Sequence, residues 1–363
     1  MKKFLLAFLL AISAFALIGC GGDKESFTIA LITDKGDIDD KSFNQASWEG
    51  VVEYATEYGI PHRYYKPTKA TTEAYVAAID LAVANGAKII VTPGYLFEEP
   101  VNITQKKYPN VKFVLLDGNP ANVNAYDDDL TNNGTLEENT YSVFFAEEQV
   151  GFLAGYAAVK DGMTKLGFMG GMAVPAVVKY GQGFILGAEA AAIELDVNVT
   201  LSYHYTGDFI ASPEVQAVAA SMFTSGAQVV FAAGGAVGQS VMAAAEAANK
   251  KVIGVDVDQS GDSETVITSA MKNLKHAVIL ALYAYFGGTW DEDCGGVVST
   301  LDASNDGVGF PMATSKFTTF SQAMYDALMA QLAANEIDIP FDLALSGKED
   351  EFVLTKTVVT MVE

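Results

Sequence analysis

The sequence predicts an α/β protein with two similar lobes, each built on a parallel sheet. Three features carry that expectation. Short β-rich runs alternate with helical runs along the chain, the pattern of βαβ units. Most strand runs are unbroken Val, Ile, Leu and Phe rather than alternating, as strands covered on both faces require. The 363-residue length implies about two domains rather than one core.

FTIALITD (27–34) is the first strand. A helix starts at Ser42 and ends at Gly59, with an apolar stripe of Ala46, Val51, Tyr54, Ala55 and Tyr58; a glycine just past the stripe is a helix stop signal. HRYYKP (62–67) is the next strand. AYVAAIDLAVANGA puts Val76, Ile79 and Val83 at i, i+3 and i+7, on one helical face. KIIVTPG (88–94) and KFVLLDG (112–118) complete a first set, and AYDDDLTNNGTLEEN (125–139) reads as an acidic surface loop. A second set repeats the plan with KLGFMGG (165–171), VTLSYHYTG (199–207), QVVFAAGG (228–235) and KVIGVDVD (251–258). The Ala-rich helices of the two sets end alike, in NGA and SGA.

The first nineteen residues read as an address. Lys2 and Lys3 precede an uncharged apolar stretch, FLLAFLLAISAFALI, and a glycine before Cys20, the layout of a secretory leader. The LIGC ending resembles a bacterial lipobox, which implies cleavage before Cys20 and its lipidation. Residues 20–26 would then be the acylated cysteine and a polar tether. Beyond this leader no run of eighteen apolar residues suggests a further span. Without Lys2 and Lys3 the chain carries 20 basic against 45 acidic residues, a net of −25. That charge argues against nucleic acid or anionic lipid as a partner surface. Cys294 is left without a cysteine partner, and three histidines make a Cys/His zinc site a poor expectation.

In open α/β sheets, ligands sit beyond the carboxyl ends of the strands. Those ends here read Asp34, Gly94-Tyr95, Asp117, Gly170-Gly171, Asp208-Phe209, Gly234-Gly235, and Asp256 with Asp258. Glycine allows close approach, and aspartate accepts hydrogen bonds from hydroxyls. Phe43 starts a helix behind the first strand, and Phe209 comes just after a strand of the second set. Each is compatible with simple core packing; together they offer two aromatic faces, one per lobe, for a flat ring. Asp34 and Asn44 lie where they can address the ring edge.

An enzyme is the rival class. TDKGDIDD superficially resembles the calcium-binding start of nucleoside hydrolases, but Ile32 stands where the first aspartate belongs, and Asp34 is one residue too far from the Asp39-Asp40 pair. A slip of that size breaks a hard-cation site. No G-x-S-x-G, dinucleotide fingerprint or P-loop is present. We expect no catalytic residues, no metal and no cofactor.

The stretches ALITDKGDIDDKSFNQASWEGV, LDG (116–118), EEQVGFLAGYAA (147–158), GVDVDQS (254–260) and TSAMKN (268–273) together resemble the basic membrane protein family, bacterial lipoproteins similar to purine-nucleoside receptors. The resemblance runs through nearly the whole mature chain. It implies a type I periplasmic-binding-protein fold, two Rossmann-like lobes joined by a hinge of about three crossings. Lobe one would hold 27–143 and 258–300; lobe two would hold 146–256 and 301–363. It also implies a monomeric, lipid-anchored receptor on the extracytoplasmic face of the cell membrane, periplasmic if an outer membrane exists, serving an ABC permease. Carried over by position, Asp34 and Asn44 address the base of a nucleoside, and Phe43 and Phe209 stack on it. Asp117, Asp256 and Lys272 hold the ribose, and Gly235 lines the cleft. Alternatives within this class are a sensory binding protein and a receptor for another flat ligand such as riboflavin.

Overall fold

The computed structural model describes residues 27–123 and 134–362. The expected leader, Cys20, the tether and the first part of the acidic stretch lie outside the described residues. Among the described residues, no helix is long and apolar enough to cross a membrane.

The first sheet collects β1 (Ile29–Ile32), β2 (His62–Tyr65), β3 (Ile89–Pro93), β4 (Lys112–Leu116), β5 (Thr140–Phe145) and β11 (Val298–Leu301), in the order β11-β5-β4-β3-β1-β2. Every pairing in it is parallel. The second sheet collects β6 (Lys165–Gly170), β7 (Val199–Tyr205), β8 (Val229–Ala233), β9 (Lys251–Asp256), β10 (Val266–Lys272), β12 (Val308–Gly309) and β13 (Thr357–Met361), ordered β12-β10-β9-β8-β6-β7-β13. Only β12 runs antiparallel. Helices cover both sheets: α1 (Phe43–Tyr58), α2 (Thr72–Ala84), α3 (Glu98–Lys107), α4 (Glu147–Lys160), α5 (Pro175–Leu195), α6 (Pro213–Thr224), α7 (Val237–Ala248), α8 (Leu274–Gly287), α9 (Trp290–Asp293) and α10 (Gln322–Ala333). Strands β1, β3 and β8 are buried along their whole length, which is why they read as unbroken apolar runs.

Helix α1 shows the local logic. Asp40 takes the capping role: its carboxylate accepts from the backbone N–H groups of Ser42, Asn44 and Gln45 at 2.9, 3.0 and 3.1 Å, which answers the unpaired donors of a helix start. Gly59 ends the helix at φ 64°. Ala46, Val51, Tyr54 and Ala55 are buried as expected, while Tyr58 is 49 % exposed. In α2 the buried face is Tyr75, Ile79 and Ala82, with Val76 and Val83 at its margins. The second-lobe helix α5 packs so closely on α4 that a Cβ at Gly155 would fall 2.0 Å from the Phe184 carbonyl oxygen, and one at Gly187 1.9 Å from that of Phe152. Only glycine permits this approach.

The chain passes between lobes three times. The first passage lies between β5 and α4, at Ala146, and the third between β11 and β12. The second differs from the boundary expected near 257. Strand β10 hydrogen-bonds to β9 in the second sheet, so residues 258–272 stay with lobe two. The chain crosses at Asn273, and α8 then packs on α1, where a Cβ on Gly50 would meet the Lys275 carbonyl oxygen at 2.8 Å. The passages lie side by side: Ala146 N donates to Leu301 O at 2.9 Å and Asn273 N to Gly307 O at 2.9 Å, and Gln149 Oε1 accepts from Ala303 N at 2.9 Å.

Candidate functional site

In each sheet the strand order reverses beside the first strand of the lobe: β1 lies between β2 and β3, and β6 between β7 and β8. Ligand crevices form outside the carboxyl ends at such points. The two lobes bring these ends face to face around one cavity, which with its solvent-open mouth encloses about 700 Å³ of empty space. Lobe one contributes Asp34, Phe43, Asn44 and Asp117; lobe two contributes Phe209, Gly235, Asp256 and Lys272. All eight residues singled out from the sequence therefore line the same space. Asp258 does not: it is exposed, accepting from Ser260 N at 3.0 Å and Thr314 Oγ1 at 2.7 Å.

Near β1, Asp34 Oδ1 accepts from Gly36 N and from Asn44 Nδ2, both at 2.9 Å. The same Asn44 nitrogen donates to Asp40 Oδ2 at 2.9 Å. Asn44 thus bridges two carboxylates and fixes the loop. Burial pushes the Asp34 carboxyl up to about 6, against the hydrogen bonds from Gly36 and Asn44. The remaining acids of this loop serve elsewhere: Asp37 pairs with Lys66, and Asp39 is exposed.

On the opposite wall Phe209 lies half-buried over the glycine turn after β6; a Cβ on Gly171 would come within 2.4 Å of its ring. Gly235, at φ 58°, completes that wall. Phe43 is half-buried at the start of α1, so the two aromatic side chains enter from different lobes.

The third wall is ionic. Lys272 Nζ pairs with Asp117 Oδ2 and, at 3.0 Å, with Glu147 Oε1. The rings of Phe43, Phe145 and Tyr180 surround it, with centroids at 4.9, 5.3 and 5.5 Å. Burial opposes the lysine charge, but Asp117, Glu147 and Asp256 outweigh it and hold the ammonium well above its usual range. Burial pushes the Asp117 carboxyl up, Lys272 pulls it back, and Glu147 adds to the rise. Asp117 Oδ1 is buried and has no hydrogen-bond partner among the described residues. Asp256 accepts from Ser42 Oγ at 2.5 Å and from Tyr180 OH at 3.4 Å, and burial raises it too, against Lys272 and Ser42. Asp117 and Asp256 both adopt the left-handed region, at φ 54° and 65°, a conformation aspartate tolerates better than most residues and one concentrated at functional sites. The lobes touch across the cleft: Ser42–Asp256 is one tie, Lys35–Asp208 at 3.0 Å another, and Gln259 Nε2 donating to Lys41 O at 2.8 Å a third.

Sequence reasoning missed Tyr180, which lines the cavity, and Glu147 behind Lys272. Tyr180 sits mid-helix among apolar residues and looks like core. Glu147 looks like an ordinary acid at a helix start.

The family model of Bmp, ABC transporter substrate-binding protein PnrA-like, matches residues 27–340. A Lactococcus lactis protein named ABC transporter nucleoside-binding protein BmpA is 28 % identical over 321 residues, covering 82 % of this chain and 85 % of its own. A Pyrococcus abyssi protein named as a lipoprotein is 27 % identical, covering 80 % and 72 %. Among solved structures, an ABC transporter solute-binding protein from Aeropyrum pernix superposes with a TM-score of 0.75 at 20 % identity, covering 88 % of this chain and 95 % of its own; that likeness is one of fold.

Proposed function

Because the chain belongs to the PnrA-like family of ABC transporter substrate-binding proteins, we propose that its cavity binds a nucleoside, with a purine as the preferred base, for delivery to a membrane permease. One observation carries the reading: a single cavity unites an aromatic ring from each lobe with buried carboxylates and one lysine. Phe43 and Phe209 stack on the base. Asp34 addresses its edge, oriented by Asn44, whose own amide hydrogens are engaged with Asp34 and Asp40. Asp117, Asp256 and Lys272 surround the ribose, and the free Oδ1 of Asp117 is the natural acceptor for a hydroxyl. Binding across two lobes suits a closing receptor: ligand docks on one lobe and the other completes the site. Acylation of Cys20 keeps the receptor at the extracytoplasmic face of the membrane, and at the high local concentration that tethering gives.

The test is a thermal-shift panel on residues 21–363, refolded to remove any co-purified ligand. A ligand at about 100 times its Kd adds roughly 2.7 kcal/mol, a rise of several degrees. Inosine, guanosine or adenosine raising Tm, with free bases and sugars silent, is the expected result. A rise with sugars or riboflavin alone overturns the nucleoside assignment and the roles of both phenylalanines.

A further inference from the structure

Glu147 is 2 % exposed and is not among the residues lining the cavity. It opens α4 one residue past the first passage between lobes, while Lys272 ends β10 one residue before the second. Their ion pair therefore joins two neighbouring hinge strands. The other oxygen of Glu147 lies 3.7 Å from Lys179 Nζ. A carboxylate this deep is tolerated only when paired, and here one lysine on each side pairs it.

Lys272 has three N–H bonds to direct. One goes to Asp117 Oδ2 and one to Glu147 Oε1. With Glu147 holding the ammonium on its hinge side, only one Asp117 oxygen is engaged, and Oδ1 stays unpaired. Without that anchor the ammonium is drawn between both Asp117 oxygens, and a ligand hydroxyl must compete with it.

We propose that Glu147 is a positioning residue for ligand binding: from the hinge it holds Lys272 on one oxygen of Asp117 and so presents the other to a ligand hydroxyl. The inference rests on the nucleoside reading of the cavity.

The experiment compares inosine with 2′,3′-dideoxyinosine by calorimetry, in wild type and Glu147→Gln, alone and in a Lys272→Met background. Glu147→Gln should weaken inosine about tenfold, the scale of one charged hydrogen bond, and leave dideoxyinosine nearly unchanged. In the Lys272→Met background the same change should have little further effect. Equal weakening of both ligands, or none, overturns the proposal, because a merely structural role does not distinguish the hydroxyls. Should Glu147→Gln not fold, Glu147→Asp, which sets the charge one methylene back, takes its place in the same comparison. Wild type binding neither nucleoside removes the nucleoside reading itself. That outcome overturns the positioning role as well, since the role is defined by a ligand hydroxyl.

Discussion

Replacing Lys272 by Met removes the only cation within bonding reach of Asp117 among the described residues, and one of two beside Glu147. Leaving one side of a buried ion pair uncompensated costs about 3–5 kcal/mol, a fall in Tm on the order of 10 °C for a protein this size. The loss should depend on pH, with a sign set by linkage. Burial already raises Asp117 above an unfolded carboxyl, and losing the ammonium raises it further. A carboxyl raised in the folded state binds more protons there than when unfolded, so stability falls as pH rises through that range. The deficit of Lys272→Met against wild type should therefore be full at pH 8 and shrink toward pH 5, where protonation neutralises the orphaned acids. Thermal unfolding of both proteins at pH 5, 6.5 and 8 measures it. A variant within 2 °C of wild type at pH 8, a threshold set by about 1 kcal/mol, or a deficit that ignores pH, refutes the ionic account of this wall.

Phe43→Ala should weaken purine-nucleoside binding by about 1–3 kcal/mol, the scale of one stacked base; calorimetry reading unchanged affinity would remove Phe43 from the site. Gly171→Ala drives a Cβ toward the Phe209 ring at 2.4 Å, so the ring must shift and affinity should drop while the far-UV spectrum holds; titration with inosine reads this. Asp256→Ala should abolish most binding and Asp258→Ala should leave it within twofold, since only Asp256 lines the cavity; equal effects in the same titration would contradict the placement. Glu98→Gln should raise Tm at pH 8 more than at pH 5. Burial pushes this carboxyl up to about 7, so charging it weakens the fold as pH rises, and Gln still accepts from Asn119 N and Asn122 Nδ2.

Much of the architecture was legible because doubly covered strands must be apolar along their length. Each of the eight runs read as strands contains an observed one, and the carboxyl-end rule then led to Asp34, Asp117, Phe209, Gly235 and Asp256. Lys272 came from the resemblance at TSAMKN. The features that escaped notice depend on partners far along the chain. Strand β10 reads VITSAMK, too polar for a central strand, yet Thr268 and Ser269 are buried. Their hydroxyls are met by Ser315 Oγ at 2.8 Å and Gln259 N at 3.1 Å. No strand was read there, and the lobe bounds implied by the resemblance put the second crossing ahead of it, near 257. Asp256 and Asp258 look alike in VDVD; the left-handed turn at Asp256 sends Asp258 toward solvent. Glu147 finds Lys272 across 125 positions, which no local pattern announces.

The threading of the hinge also bears on how the chain assembles as it is made. The outer strand β11 that covers the β5 edge of the first sheet arrives only at residues 298–301, after β1 through β10 have been made, and the second sheet receives its last border, β13, at 357–361. Until then β5 and β7 each present an open row of backbone donors and acceptors, the template on which strands from other chains pair. A nascent or truncated chain ending before Val298 exposes both at once. Neither lobe can finish alone: each sheet closes its edges with a strand made after the chain has already entered the other lobe, so both are complete only when the whole chain is present.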